Sequence, residues 1–237
     1  MSVNVADPKR LTRLLSCAAD GRNFPPEFQS RGPAHVVGVT GAAAAGKSTL
    51  TNQIIKALRS DNKSVVVLAI DPSDPESGGA FLGDRIRMRA HYLDEGVFIR
   101  SLSSRGSKDS SVPHLLNLVN VASHFAEIVL VESPGAGQMD LGIKDAADTF
   151  IFLPDIRADI VNLMKSGIHE HAHIMVLNLR GKADEEKRFS AMLNGLLREI
   201  KGWTQLVFGA NALTGEGVEA VVRDGIYKHR DFLFRTS

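Results

Sequence analysis

The sequence predicts an α/β fold in which a mostly parallel central sheet carries helices on both faces. Short runs that are apolar on both faces alternate with stretches of helical periodicity, a pattern typical of parallel sheets that helices cover on each side. The runs are 36–39, 65–70, 97–99, 128–131, 150–153, 174–177 and 205–208. Several of them end in a polar residue at the carboxyl end of a strand, where sheets of this kind bind their ligands.

Helical periodicity predicts the elements between these runs. Residues 7–19 have the pattern of a short amphipathic helix, and residues 113–126 are also helical in pattern. A third helix follows the first run, where apolar residues recur at helical spacing at Leu50, Ile54, Ile55 and Leu58. Residues 23–26, Asn-Phe-Pro-Pro, mark a linker. We therefore predict an N-terminal helix and linker over residues 1–30 and one domain over residues 31–237.

The composition predicts a soluble protein of the reducing cytoplasm. With 237 residues and 43% hydrophobic content, the chain can bury the core of one globular domain. A formal charge of +1 argues against broad attraction to nucleic acid or to an anionic membrane. The single cysteine, Cys17, cannot form an internal disulfide. The sequence contains neither an apolar run of roughly 18–20 residues nor the apolar core of a signal peptide.

The most informative motif is the phosphate-binding pattern G-x-x-x-x-G-K-[ST] at residues 41–48. It lies between a predicted strand and a predicted helix, where backbone N–H groups and the helix dipole can hold a di- or triphosphate. A chance turn rich in glycine and alanine is the alternative. Lys47 is expected on the β- and γ-phosphates and the Ser48 hydroxyl on Mg²⁺. The predicted phosphate-binding residues are Gly41, Ala42, Ala43, Ala44, Ala45, Gly46, Lys47, Ser48 and Thr49.

Three carboxylates are expected close to this loop. Asp71 and Glu132 each close an apolar run, and Asp84 follows the first of these runs. Mg²⁺ bound to a nucleotide takes one or two carboxylates together with phosphate oxygens and water, so we predict a metal site formed by Ser48, Asp71, Asp84 and Glu132. The predicted catalytic residues are Lys47, Asp84 and Glu132, and the sequence leaves open whether Asp84 or Glu132 orients the attacking water. The backbone of Gly135 is expected to contact the γ-phosphate.

Several longer segments resemble one known family. Residues 67–88, VLAIDPSDPESGGAFLGDRIRM, are close to its pattern V-L-A-V-D-P-S-S-P-x-S-G-G-x-x-L-G-D-R-x-R-M, and residues 132–138, ESPGAGQ, are similar to E-T-x-G-x-G-Q. The match continues at residues 98–101, 105–106, 159–170 and 210–213. Over roughly residues 30–230, the chain therefore resembles the MeaB/ArgK/methylmalonic-aciduria type A family of P-loop GTPases, which are chaperones of adenosylcobalamin-dependent acyl-CoA mutases.

The resemblance implies a P-loop NTPase fold, Mg²⁺-dependent hydrolysis with GTP/GDP or ATP as the nucleotide, and a G domain over residues 31–237. It also implies a partner, a cobalamin-dependent acyl-CoA mutase such as methylmalonyl-CoA mutase, together with its adenosyltransferase. The residues that it implies beside the base are Asn178, Leu179, Ala210, Asn211 and Ala212. The switch residues that it implies are Gln138, Asp159, Asn162 and Lys165.

Three departures from the family pattern change these expectations. The family's base motif N-K-x-D reads Asn178-Leu179-Arg180-Gly181 here, and Gly181 has no side chain to accept a hydrogen bond from guanine. A weaker preference for guanine follows, unless Asp184 reaches the base. In the phosphate loop, Ala replaces a Gly at position 44, so either Ala44 accepts a positive φ or the loop relaxes. The family's C-terminal dimerisation arm is not expected, and homodimerisation is left open.

Two other functions remain open at this stage. An ATP-dependent small-molecule kinase would use an arginine-rich lid, for which Arg85, Arg87, Arg89 and Arg105 are available. A nickel-delivery GTPase of related fold is less compatible with a single cysteine.

The spacing of His169 and His173 could bind Zn²⁺ or Ni²⁺ on one helix face. We favour a solvated helix end, where cationic histidines suit the helix dipole.

Overall fold

The computed structural model describes residues 4–71, 88, 91–103, 114–133, 135, 140–155, 167–179, 181 and 183–236. The strands are β1 His35–Gly41, β2 Val65–Asp71, β3 Val97–Ser103, β4 Ile128–Glu132, β5 Thr149–Leu153, β6 Ile174–Asn178, β7 Glu199–Ile200, β8 Trp203–Thr204 and β9 Leu206–Ala210. Within these residues, one seven-stranded sheet has the order β3-β2-β4-β1-β5-β6-β9. Every pairing in it is parallel, and β7 and β8 form a separate antiparallel pair.

Helices cover both faces of the sheet. The α-helices are α1 Pro8–Ala19, α2 Lys47–Ser60, α3 Leu115–Ala122, α4 Asp140–Ala146, α5 Ala183–Asn194, α6 Val218–Ala220 and α7 Lys228–Thr236. A π-helical stretch, Val221–Tyr227, joins α6 to α7, and 3₁₀ turns occur at Pro26–Phe28 and Ile168–His171. The predicted α/β fold is therefore confirmed. No helix within the described ranges is long and apolar enough to cross a membrane.

Two elements show why the observed bounds differ from the sequence expectation. The third apolar run was expected over residues 97–99, but β3 continues to Ser103 because it stays paired with β2, Arg100 with Leu68 and Ser103 with Asp71. The helix expected over residues 113–126 begins only at Leu115, since His114 has a φ of 63°. Periodicity alone does not reveal either boundary, because strand pairing and backbone geometry determine them.

The alternation of each strand divides the core into two layers. One layer packs residues such as Val36, Val129 and Phe150 against α1, α3, α4 and α5. The other packs residues such as Val37 and Leu130 against α2 and the C-terminal helices. Burying one aliphatic side chain contributes roughly 1.5–3 kcal/mol, so this double layer fixes the sheet that carries the site.

The predicted N-terminal helix forms and is part of the core. Asp7 caps it, its carboxylate accepting a hydrogen bond from the backbone N–H of Arg10 at 3.0 Å, and Pro8 begins the first turn. Leu11 and Leu15 are fully buried. Because α1 packs on α3, the helix within the first thirty residues belongs to the same hydrophobic core as the sheet.

A cluster of two buried histidines, His35 and His229, and the half-buried His173 lies at the opposite end of the sheet from the phosphate loop. The Thr149 hydroxyl lies 2.7 Å from His35 Nε2 and 2.8 Å from His229 Nδ1. His173 stacks on His229 with ring centroids 4.1 Å apart, and its Nδ1 accepts a hydrogen bond from the Phe150 N–H at 2.9 Å. These contacts join the starts of β1 and β5 to α7.

This cluster corrects the expectation for His169 and His173. The helical turn ends at His171 and the backbone at Ala172 is extended, so the two side chains do not share a helix face. His169 is buried, which excludes a solvated helix end. Among the described residues, no group of three or more potential ligands is arranged to hold a metal ion.

We expect the histidine cluster to make the fold sensitive to acid. Burial lowers the pKa of His35 and of His173 to about 4 and that of His229 to about 3, below the ordinary value of 6.5. The unfolded chain therefore takes up protons first, and stability that is complete above pH 6.5 is lost as the pH falls towards 4. The loss approaches about 1.4 kcal/mol per pH unit for each ring.

Urea unfolding between pH 7.5 and 4.5 measures this effect. His229→Asn, which keeps a polar atom near Thr149, should reduce the slope of stability against pH. His171→Asn, outside the cluster, should leave the slope unchanged. Equal slopes for wild type and His229→Asn would contradict the assignment.

Candidate functional site

Polar residues that close several strands meet at one edge of the sheet. Glu132, the last residue of β4, lies in register with Val39 of β1 and with Ala69 of β2. Asp71 ends β2, and Asn178 ends β6. The loop after β1 therefore lies at the carboxyl edge of the sheet, as predicted for a ligand site.

Two glycines allow this loop to approach its neighbours closely. A Cβ atom at Gly41 would overlap the carbonyl oxygen of Leu153, and one at Gly46 would overlap the side-chain amide of Asn178. Gly46, with a φ of 102°, immediately precedes α2. The first N–H groups of a helix have no partner within that helix and attract anions. The backbone at residues 41–48 thus has the form of a phosphate-binding loop.

Ala44 has a strained backbone with a positive φ, which was one of the two outcomes expected from the sequence. Its φ is 61°, in the left-handed region where an L-residue costs on the order of 1 kcal/mol relative to glycine. The loop therefore keeps its shape instead of relaxing around the alanine.

The Lys47 side chain folds back along the loop. Its ammonium group donates to the carbonyl oxygens of Gly41 at 3.0 Å and of Ala42 at 2.9 Å. Gly135, with a φ of 81°, packs against the same place: a Cβ atom there would overlap Lys47 Nζ and would lie 2.8 Å from the Gly41 oxygen. Because Gly135 has no side chain, its backbone can lie close to the buried ammonium group of Lys47. This arrangement suits the β–γ region of a triphosphate.

Ser48 and Glu132 meet next to this lysine. The Ser48 hydroxyl donates to Glu132 Oε1 at 2.5 Å, and Glu132 is only 3% exposed. A hydroxyl and a carboxylate at the mouth of a phosphate loop are the hard oxygen ligands that Mg²⁺ prefers, so these residues fit the metal that the family resemblance implies.

Asn178 connects the phosphate loop to the loop after β9. Its Nδ2 donates to the Ala45 carbonyl at 2.8 Å, and its Oδ1 accepts from the Ala212 N–H at 3.1 Å. Leu179 follows, and its backbone N–H donates to the Ala210 oxygen at 2.8 Å. The structure therefore brings together the residues that the resemblance implied beside the base.

Other predicted residues are described here only by their position in the fold, or lie outside the described ranges. Asp71 lies at the end of β2. Thr49 lies in the first turn of α2, half-buried. The remaining predicted site residues lie outside the described ranges: Asp84, Gln138, Asp159, Asn162 and Lys165. Their predicted roles stay predictions.

One contact in the site was not predicted. The hydroxyls of Thr40 and Ser133 lie 3.0 Å apart and are almost completely buried, and the Ser133 N–H donates to the Val39 oxygen at 2.9 Å. This pair is the last link between β1 and β4 before the chain continues to Gly135. Ser133 lies at the Thr position of the family pattern E-T-x-G-x-G-Q, which is the one signal that could have indicated it.

We expect Thr40 and Ser133 to be energetically coupled. Thr40→Val or Ser133→Ala alone leaves one buried hydroxyl without its partner and should lower the free energy of unfolding by about 1–3 kcal/mol, whereas the double variant removes both groups and should cost little more than one of them. Urea unfolding of the four proteins measures the coupling. Additive losses would show that the pair contributes nothing jointly.

Comparisons with known proteins identify the family of this chain. The family model described as methylmalonyl Co-A mutase-associated GTPase MeaB matches residues 26–237. A Pyrococcus abyssi protein described as a GTPase is 37% identical over 213 residues, covering 86% of this chain and 65% of its own length. The fused isobutyryl-CoA mutase of Nocardia farcinica is 35% identical over 212 residues, covering 82% of this chain but 19% of its own. The chain thus spans slightly less than two thirds of its archaeal relative.

A solved structure supports the fold alone. The crystal structure of a LAO/AO transport system kinase superposes with a TM-score of 0.71 at 21% identity, covering 98% of this chain and 73% of its own.

Proposed function

Because the chain belongs to the MeaB family of P-loop GTPases, we propose that it is a Mg²⁺-dependent nucleoside triphosphatase that serves as switch and chaperone for a cobalamin-dependent acyl-CoA mutase, such as methylmalonyl-CoA mutase. The observation that carries the proposal is the convergence of Lys47, Ser48, Glu132 and Gly135 on one phosphate loop. The proposed domain is residues 31–237, preceded by the N-terminal helix and linker over residues 1–30, and the proposed compartment is the cytoplasm.

Each residue has a defined part in the proposed reaction. Lys47 exchanges its carbonyl partners for phosphate oxygens and stabilises charge on the β–γ bridge, and the loop N–H groups hold the same phosphates. Positioning and electrostatics supply most of the catalysis in phosphoryl transfer. Mg²⁺, held by Ser48 and Glu132 together with Asp71 and Asp84, would neutralise charge on the phosphate oxygens. With the Glu132 carboxylate against Ser48, Asp84 is the better candidate to orient the attacking water.

The proposed mutase partner is supported by gene fusion in relatives. The fused isobutyryl-CoA mutases of Nocardia farcinica and Cupriavidus metallidurans each contain a segment 35% identical to this chain. Fusion keeps two domains close together, which suits domains that act together. We propose that this chain likewise acts together with a mutase, with the adenosyltransferase as a further partner.

The test is phosphate release from GTP by the purified chain, alone and with methylmalonyl- or isobutyryl-CoA mutase and adenosylcobalamin. We expect slow intrinsic hydrolysis that at least one mutase stimulates several-fold. Lys165→Ala should keep the intrinsic rate and lose much of the stimulation, because the resemblance places Lys165 in the signalling segment. Lys9→Ala, in the N-terminal helix, is the matched control. Hydrolysis that no mutase stimulates would contradict the chaperone role.

A further inference from the structure

We infer that the base site of this chain holds a purine by shape alone, so that guanine, hypoxanthine and adenine nucleotides bind with similar affinity. The inference rests on the proposed nucleotidase function and specifies its substrate class. The base site is taken as the described surface formed by Leu179, Gly181 and the loop Asn211–Thr214, which Asn178 ties to the phosphate loop.

The first observation concerns hydrogen-bond donors. A loop beside the base can select guanine by donating a backbone N–H to its O6 atom. Here each N–H of the loop already donates within the protein. Asn211 donates to the Glu216 oxygen at 2.8 Å and Ala212 to Asn178 Oδ1 at 3.1 Å, while Leu213 and Thr214 both donate to Asn211 Oδ1, at 3.0 and 3.1 Å. A donor to guanine O6 would have to break one of these bonds.

The second observation concerns acceptors. Selecting guanine over adenine through N1 and N2 requires an acceptor, best supplied by a carboxylate. Gly181 has no side chain, and apart from its own residue and its chain neighbours no described atom lies within 4 Å of the position its Cβ would occupy. The carboxylate that follows Gly181 most closely in sequence is that of Asp184, which is exposed to solvent in α5. Among the described residues Leu179, Gly181 and Asn211–Thr214, the base site therefore presents no carboxylate to guanine N1 and N2.

The third observation is that two leucines supply apolar surface at the base site. Leu179 packs over Gly209, and its Cδ1 lies 3.1 Å from the position that a Cβ atom of residue 209 would occupy. Leu213, on the loop, is 82% exposed. Leucine side chains can cover the flat face of any purine. They give affinity without distinguishing the atoms at the edge of the base.

Calorimetric titration with GDP, IDP and ADP in Mg²⁺ tests the inference, since these ligands differ only in the base. We expect the three Kd values to agree within about tenfold. GDP binding at least about 100-fold more tightly than ADP would overturn the inference and leave the proposed function intact. Failure of all three diphosphates to bind would overturn both.

Two variants identify the cause. Gly181→Asp combined with Leu179→Lys should raise the preference for GDP over ADP by about 10- to 150-fold, the range expected for hydrogen bonds to a charged acceptor. Gly181→Asn with the same Leu179→Lys change is the matched control and should raise it much less, because it lacks the charge. If wild type already prefers GDP strongly and Asp184→Asn loses that preference, the inference is overturned, because Asp184 then recognises guanine.

Discussion

Replacing Lys47 with alanine should reduce nucleoside triphosphate hydrolysis by about 10²- to 10³-fold, the usual effect of removing one group that stabilises transition-state charge. In the structure this ammonium group donates hydrogen bonds to the carbonyl oxygens of Gly41 and Ala42, and we expect the fold to remain intact in the variant. Single-turnover release of phosphate from GTP measures the loss, and circular dichroism checks the fold.

Lys56→Ala is the matched control, since Lys56 is an exposed lysine of the same helix. Its turnover should equal that of wild type. If Lys47→Ala also retained turnover near wild type, the nucleotidase function would be excluded.

Replacing Gly135 with alanine should have an effect of similar size for a steric reason. The new Cβ atom would overlap Lys47 Nζ and would lie 2.8 Å from the Gly41 oxygen and 3.0 Å from the Ala43 nitrogen, at a φ of 81° that disfavours any L-residue. Either the lysine or the loop must move. We expect turnover to fall by about 10²-fold or more, as for other changes that displace a charge-stabilising group.

Gly142→Ala provides the control for this variant. Gly142 lies in α4, and apart from its chain neighbours and the backbone of that helix no described atom lies within 4 Å of its Cβ position. Alanine should be tolerated there and should stabilise the helix by up to about 1 kcal/mol. Equal turnover for Gly135→Ala and Gly142→Ala would show that Gly135 is not close to the reacting phosphates.

The features predicted correctly from sequence depend on local patterns. The phosphate loop was recognisable because its residues are consecutive and because a strand and a helix flank it. The position of Glu132 followed from the rule that parallel strands end at one edge, whereas Asn178 was implied by the family resemblance. The left-handed backbone at Ala44 was foreseen as one of two outcomes, since the loop requires a conformation that favours glycine.

The features that could not be predicted depend on residues far apart in sequence. His35 and His229 both contact the Thr149 hydroxyl from positions 114 and 80 residues away, and no local pattern indicates such a contact. The same limit explains the error at His169: its burial depends on how the segment before β6 packs, which the spacing of the histidines does not reveal. The Thr40–Ser133 pair was missed because isolated serines and threonines in strands are ordinary.

The most direct measurement is release of phosphate from GTP by the purified wild-type chain, followed with Mg²⁺ and, in parallel, with the ion chelated by EDTA. If Lys47, Ser48 and Glu132 form a Mg²⁺-nucleotide site, phosphate should be released with Mg²⁺, and in EDTA the rate should fall to that of Lys47→Ala. Failure to release phosphate from GTP, ITP or ATP with Mg²⁺, or release that is the same in wild type and Lys47→Ala, would contradict the assignment of this loop as a hydrolytic site.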